Sequence, residues 1–327
     1  MFDLTKDKNN IKELFAKLNL NKIEKITRIH SSQNLVYKVD TKNEKYVVKK
    51  FSKDAIKNDY ELKKKKRQIK VSKLLNQKGI NTILPIGFEN KEFIFYKGEY
   101  YLIYNFCNYQ TIYREKIKLK HIEIMATTLA KIHKLKIKVD LPCHYKKIDI
   151  DLEKYIKLYK KVDLKVYEIL KEKQKELENL IANCNENIKY VKQNMCISHN
   201  DYKLLNMLWN KDDLYLIDFD AAGIVNPTTA MVEAAFSLSR VGEEINEKYL
   251  ITFIRKYTEI LKVNYNEYIL ALDVAMNGKL KWFRYILDEG LKNKKYSEDV
   301  YKMVINFSTY TKYKEMLRVL GKDIKIW

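Results

Sequence analysis

Ile197-Ser198-His199-Asn200-Asp201-Tyr202-Lys203-Leu204-Leu205-Asn206, with Leu216-Ile217-Asp218-Phe219-Asp220 shortly after it, is the stretch on which the reading of this chain turns. It sets an Asp, a Lys and an Asn in an HxDxKxxN loop, followed by an apolar run that ends in a second Asp. In-line phosphoryl transfer asks for these residue types: a carboxylate to take the proton of an attacking hydroxyl, and hard oxygen ligands for the Mg²⁺ that bridges the phosphates. Asp201 suits the first task, and Asn206 with Asp218 suits the second. Lys203, two residues past Asp201, suits a point charge on the moving phosphoryl group. An HxD triplet alone recurs by chance, and a DFD after a strand also reads as a surface turn. Here the parts come in order, each behind an apolar approach: Met195-Cys196-Ile197 before the loop and Leu214-Tyr215-Leu216-Ile217 before Asp218. Coincidence is the weaker account.

Composition limits the alternatives. A chain of 327 residues suffices for two lobes and a sizeable core. With 46% hydrophobic and 12% aromatic residues it is expected to fold. No apolar run approaches the roughly 18 residues of a membrane span, and Met1-Phe2-Asp3-Leu4-Thr5-Lys6-Asp7 carries charge where a secretory signal is apolar. Cys107, Cys143, Cys184 and Cys196 show no CxxC spacing, so neither a zinc site nor a disulfide framework is indicated, and a reduced, cytoplasmic protein is expected. A formal net charge of +21 suits nucleic acid, an anionic membrane surface or an anionic ligand such as ATP. The cations are lysines spread along the whole chain, with only seven arginines, whereas bidentate recognition favours arginine. No specific nucleic-acid partner is therefore expected, and Lys63-Lys64-Lys65-Lys66-Arg67 reads as the solvated face of a helix.

Periodicity organises the rest. Asn10-Ile11-Lys12-Glu13 has the form of a capping box, with Ile11, Leu14, Phe15 and Leu18 at helical spacing behind it. Three β-like runs follow near 23–30, 34–40 and 45–51. A Lys-rich helix then spans about 59–78 and ends at Gly79. A hairpin is predicted from Glu92–Tyr96 and Tyr100–Tyr104 through Lys97-Gly98-Glu99. Beyond residue 120 the pattern is helical, with Ile122, Met125, Leu129 and Ile132 as one buried stripe. A long charged helix is predicted over 151–182, and helices alone after Pro227. The expected architecture is α+β and two-lobed: a β-rich nucleotide-binding lobe over 1–104 and a mainly helical catalytic and acceptor-binding lobe over 105–327.

On the third strand, Tyr46-Val47-Val48-Lys49-Lys50-Phe51 offers Lys49 to the α- and β-phosphates. Lys50 faces the other way, and a register error of one residue exchanges the two. Ser31, Ser32, Gln33 and Asn34 form a glycine-free loop whose backbone N–H groups suit phosphate. Tyr104-Asn105-Phe106 is the expected hinge against the base. The acid that customarily holds such a lysine falls near Gln68, with Glu61 the nearest carboxylate upstream, almost two helical turns away.

Ser31 through Tyr37, Lys49, Leu129-Ala130-Lys131-Ile132-His133, His199-Asn200-Asp201, Asn206, Asp218 and Asp220 through Pro227 with Glu233 together carry a resemblance. Over nearly its whole length the chain resembles the aminoglycoside phosphotransferase and choline kinase family, small-molecule kinases that share the protein-kinase fold. The likeness extends to bacterial phosphotransferases that shade into spore-coat-associated, kinase-like proteins. It implies Asp201 as catalytic base, Asn206 and Asp218 as Mg²⁺ ligands, Lys49 as phosphate contact, and His199 and His133 as structural residues. Gln68 in place of a Glu and Asn226 in place of a frequent Asp depart from the family pattern.

The expected partners are thus Mg²⁺, ATP or GTP, and a small hydroxylated acceptor that is aminoglycoside-, choline- or sugar-like. Candidate acceptor residues are Glu233, Trp282 and Asp288. A polycation needs a carboxylate cluster and choline an aromatic cage. The adjacent pairs Glu243-Glu244 and Asp288-Glu289 do not share a helix face and read as surface charge. The alternative is a weakly active or non-catalytic assembly protein of the spore-coat type. A protein kinase is disfavoured, because no DFG glycine follows Asp218 and no APE-like segment closes an activation loop.

Overall fold

Ile11, Leu14 and Phe15 fall on one helical face and enter an aromatic-rich core with Tyr37, Val39, Tyr46, Val48, Tyr101 and Ile103. The computed structural model describes residues 4–29, 34–53, 55–135, 137 and 139–323. Two compact units emerge: Met1–Thr111 with Leu208–Asp220, and Ile112–Met207 with Ala221–Trp327.

In the first unit, α1 (Leu4–Lys17) begins before the predicted capping box. Asn10 is a buried mid-helix residue, because the helix is anchored earlier: the Asp7 carboxylate accepts the Tyr37 hydroxyl at 2.7 Å and pairs with Lys50 at 2.5 Å. The strands β1 (Ile23–Ile29), β2 (Leu35–Thr41) and β3 (Lys45–Lys50) follow, then α2 (Asp59–Gln77), β4 (Ile94–Tyr96) and β5 (Glu99–Asn105). They build an antiparallel sheet of order β1-β2-β3-β5-β4. Its last hairpin turns on Lys97 and Gly98, both at positive φ, as a two-residue turn of the primed type requires. Asn58 caps α2 by accepting the N–H of Glu61 at 3.0 Å. A short strand, β6 (Gln110–Thr111), ends this part.

The second unit opens with α3 (Leu119–Lys134), whose stripe Ile122, Met125, Leu129 and Ile132 is wholly buried. Three helices replace the single one predicted over 151–182: α4 (Leu152–Val162), α5 (Leu164–Glu172) and α6 (Gln174–Val191). Asp163 makes the first break. It ends α4 and caps α5, its carboxylate accepting the N–H groups of Lys165 and Val166 at 3.1 and 3.3 Å.

The stretch around the HxDxKxxN loop then folds as β7 (Cys196–Ser198), β8 (Met207–Asn210), β9 (Asp213–Leu216) and β10 (Gly223–Val225), with Leu208–Asp220 belonging to the first unit. β7 pairs with β10, while β8 joins β6 and β9 in a three-stranded sheet. Asn226 caps α7 (Pro227–Ser239) by accepting the N–H of Thr229 at 2.9 Å, with Pro227 at the first helical position. The reading of helices alone after Pro227 misses one ribbon, β11 (Arg240–Val241) with β12 (Glu244–Ile245), which turns at Gly242. Helices α8 (Glu247–Ile260), α9 (Tyr265–Val274), α10 (Asn277–Gly290) and α11 (Lys294–Asp323) complete the unit.

Candidate active site

Strand alternation sends Lys49 and Lys50 to opposite faces of β3. Lys50 is held by Asp7 and Glu99, each at 2.5 Å. Lys49 meets Asp218 Oδ1 at 2.7 Å and Asp220 Oδ2 at 2.8 Å, so the register that aims Lys49 at the DFD segment is the one adopted. Burial works to depress the Lys49 ammonium, but Asp220 and Asp218 outweigh it and hold its pKa above the ordinary range. Tyr104 lies on the same face of the sheet, and burial raises its pKa although Lys49 opposes the shift. Asp218 adopts φ +61°, a left-handed backbone uncommon outside glycine.

Other nucleotide-end residues divide. Ser31, Ser32 and Gln33 lie outside the described residues. Asn34 donates to Asp220 Oδ2 at 2.9 Å and accepts the Ser52 N–H at 3.3 Å. The Phe106 N–H is already committed to the Lys45 carbonyl at 2.8 Å, and its ring sits under Lys38 Nζ at 4.7 Å. One lysine of the supposedly solvated run is not solvated: the Lys65 side chain is 11% exposed and donates to the Asp220 carbonyl at 3.1 Å. Burial lowers its pKa against the pull of Asp220. The Lys49 counter-charges are therefore Asp218 and Asp220, not an acid near Gln68, which is itself buried in α2.

In the second unit β7 delivers the loop. His133, on α3, meets Ser198 Oγ at 2.9 Å through Nε2 and the Tyr257 hydroxyl at 2.6 Å through Nδ1. Burial pushes its pKa down to about 3, so the ring is neutral at pH 7. His199 is fully buried and its Nδ1 accepts the Asp201 N–H at 3.3 Å. Asn200, at φ +58°, turns the chain ahead of Asp201, which is half-buried. Gly223 on β10 permits this close approach, because a Cβ there would lie 3.0 Å from Asn200 Nδ2.

The amide nitrogen of Asn206 donates to both the Asp201 carbonyl (2.9 Å) and Oδ2 (2.8 Å), and Lys203 Nζ sits 2.7 Å from the same Oδ2. With its amide hydrogens directed at Asp201, Asn206 turns its oxygen the other way. Asp201, Lys203 and Asn206 thus form one hydrogen-bonded group.

That group borders a cavity of about 140 Å³ lined by Asp201, Lys203, His144, Glu233, Gly278 and Lys279, among others. Glu233 is the predicted acceptor residue that the fold brings here. Burial raises its carboxyl pKa, Lys279 and Lys281 pull it down, and Asp201 raises it. Burial lowers Lys281 to about 8, and its ammonium donates to the His144 carbonyl at 2.5 Å. Gly278 leaves room between two polar groups, since a Cβ there would sit 3.2 Å from His144 Nε2 and 3.8 Å from Glu233 Oε1.

Trp282 and Asp288 do not line this cavity. At a rise of 1.5 Å per residue they lie ~6 and ~15 Å further along α10 than Gly278. Trp282 stacks on Tyr285 at the surface, and Asp288 is engaged by Arg284 and Tyr155. His144 was not foreseen: a lone histidine in a loop has no spacing that marks it.

Comparison with known proteins shows the family and the fold. The phosphotransferase enzyme family (APH) matches residues 25–267. The chain belongs to this family. Its fold is the protein-kinase-like one. A solved spectinomycin phosphotransferase, in complex with ADP and spectinomycin, superposes with a TM-score of 0.67 at 15% identity, covering 92% of this chain and 98% of that one. The choline kinase LicA from Streptococcus pneumoniae gives 0.60 at 16% identity over 93% and 100%. The ethanolamine kinase of Plasmodium vivax gives 0.57 at 16% over 96% and 86%. No curated protein matches the chain at the level of sequence. Among the described residues no helix is long and apolar enough to cross a membrane.

Proposed function

We propose that this phosphotransferase is a Mg²⁺-dependent kinase that moves the γ-phosphoryl group of ATP or GTP to a hydroxyl of a small acceptor. The observation that carries the proposal is Asp201, oriented by Asn206 and Lys203 and bordering the cavity with Glu233. The acceptor O–H proton passes to Asp201 as the oxygen bonds to the γ-phosphorus. The bond to the β–γ bridging oxygen breaks, and its electron pair leaves with the nucleoside diphosphate. Lys49 is the contact for the donor phosphates and Lys203 for the moving phosphoryl group.

A carboxylate at Asp218 and an amide oxygen at Asn206 are hard donors of the kind that would hold Mg²⁺. When bound, Mg²⁺ neutralises the charge that develops on the phosphates. Residues 31–34 and the segment Tyr104–Phe106 are the candidates for holding phosphate and base. Glu233 is the acceptor contact.

A cavity this size holds a group about as large as benzene. It therefore accommodates a whole choline-like amino alcohol or one ring of an aminoglycoside or sugar. The reading as a non-catalytic assembly protein gains no support from the family or the site.

The test is nucleoside-diphosphate release with a panel of amino alcohols, aminoglycosides and sugars. Asp201→Asn should lower kcat by ~10²–10⁴-fold while nucleotide affinity stays near that of the wild type. An unchanged kcat would remove Asp201 from the mechanism.

A further inference from the structure

In the first unit Asp220 is a hub. Its Oδ2 lies 2.8 Å from Lys49 Nζ, 2.9 Å from Asn34 Nδ2 and 3.5 Å from Lys65 Nζ, and its carbonyl accepts from Lys65 at 3.1 Å. These donors come from β3, from the residue before β2, and from α2. The Asp220 side chain is 19% exposed, against 43% for Asp218 two residues earlier. Of the two acids on Lys49, Asp220 is therefore the one built into the surroundings.

Helix α2, where a carboxylate was expected, supplies a cation instead. Lys65 and Gln68 are three residues apart on one face of the helix, and both turn inward: Gln68 is buried and the Lys65 side chain is nearly so. Lys49, Lys65, Asp218 and Asp220 balance at two charges of each sign. Gln68, buried on the Lys65 face of α2, brings no charge of its own.

We infer that Asp220 is the positioning residue for Lys49, in the role expected of an acid on α2, and that Lys65 holds Asp220 in place. The inference rests on the assignment of Lys49 to the donor phosphates. Asp218 is then left to serve the metal without also having to fix the lysine. Lys65 acts one step further out: it keeps Asp220 oriented and partly neutralised, so that Lys49 remains available to phosphate.

Calorimetric titration of ATP and ADP into the full-length protein, with and without Mg²⁺, tests this for Asp220→Asn, Lys65→Met and Lys65→Arg. Steady-state KM values and thermal unfolding of each variant complete the set. Loss of a charge-assisted bond at the hub should weaken nucleotide binding by roughly 10–100-fold in Asp220→Asn and Lys65→Met. Lys65→Arg, which keeps the charge and the donors, should restore affinity to within about 3-fold of wild type. The KM for the acceptor should not move in any of them, and Lys65→Arg should melt like the wild type.

Wild-type binding with unchanged affinity in Asp220→Asn and Lys65→Met would overturn this inference alone. So would a loss in Lys65→Met that Lys65→Arg fails to repair although it is folded. No nucleotide binding by the wild type would overturn the proposed function together with it.

Discussion

His133 shows how much one buried side chain can decide. Its two ring nitrogens are spent on Ser198 and Tyr257, so it pins the end of β7, from which the HxDxKxxN loop departs. The folded pKa of about 3 lies below the ordinary 6.5, so between these values the unfolded chain binds the extra proton. Stability is then present above 6.5 and is lost as pH falls toward 3, at up to ~1.4 kcal/mol per pH unit. Urea unfolding between neutral and acid pH should show this slope, and His133→Gln should flatten it. Equal slopes in both proteins would mean that the ring is not held neutral. The histidine motif was visible in sequence, but its two partners, 65 and 124 residues away, were not.

Local periodicity spoke clearly at the level of helices and strands, and long-range pairing did not. The alternation of β3, the hairpin at Lys97 and Gly98 and the α3 stripe could all be read from sequence, because each depends on neighbours within a few residues. The start of α1 could not, since Asp7 is fixed by Tyr37 and Lys50, nor could the role of Lys65, whose partner lies 155 residues on. The HxDxKxxN loop was legible because its hydrogen bonds are short-range. The cavity beside it was not, because His144, Glu233 and Gly278 come from separate elements. α10 carries the most direct test of that cavity. Gly278→Ala places a methyl group 3.2 Å from His144 Nε2 and 3.8 Å from Glu233 Oε1. It should raise the acceptor KM while leaving the nucleotide KM unchanged; a variant with both constants intact would show that acceptors do not use this end of the cavity.

Charge dominates at the scale of the whole molecule. A formal +21, from 63 lysines and arginines against 42 aspartates and glutamates, makes a self-repelling surface. Raising NaCl from about 10 mM to about 150 mM shortens the screening length from ~30 to ~8 Å. The melting temperature should therefore rise over that range, and a fall would show that ion pairs such as Lys50 with Asp7 and Glu99 outweigh the repulsion.

The first unit is also discontinuous along the chain, since Leu208–Asp220 belong with residues as early as Lys49. On a ribosome that adds 5–20 residues per second, the last piece of this unit emerges roughly 5–20 s after Thr111. Throughout that interval nascent Lys49 has neither of its two acids, and the edge that β8 and β9 later occupy is bare. The cell must wait for the second unit to be almost half synthesised, by sequence order, before the first can close. Closure of the first unit is thereby tied to translation of the segment that carries Asp218 and Asp220, and a chain stalled before it cannot form the ion pairs of Lys49.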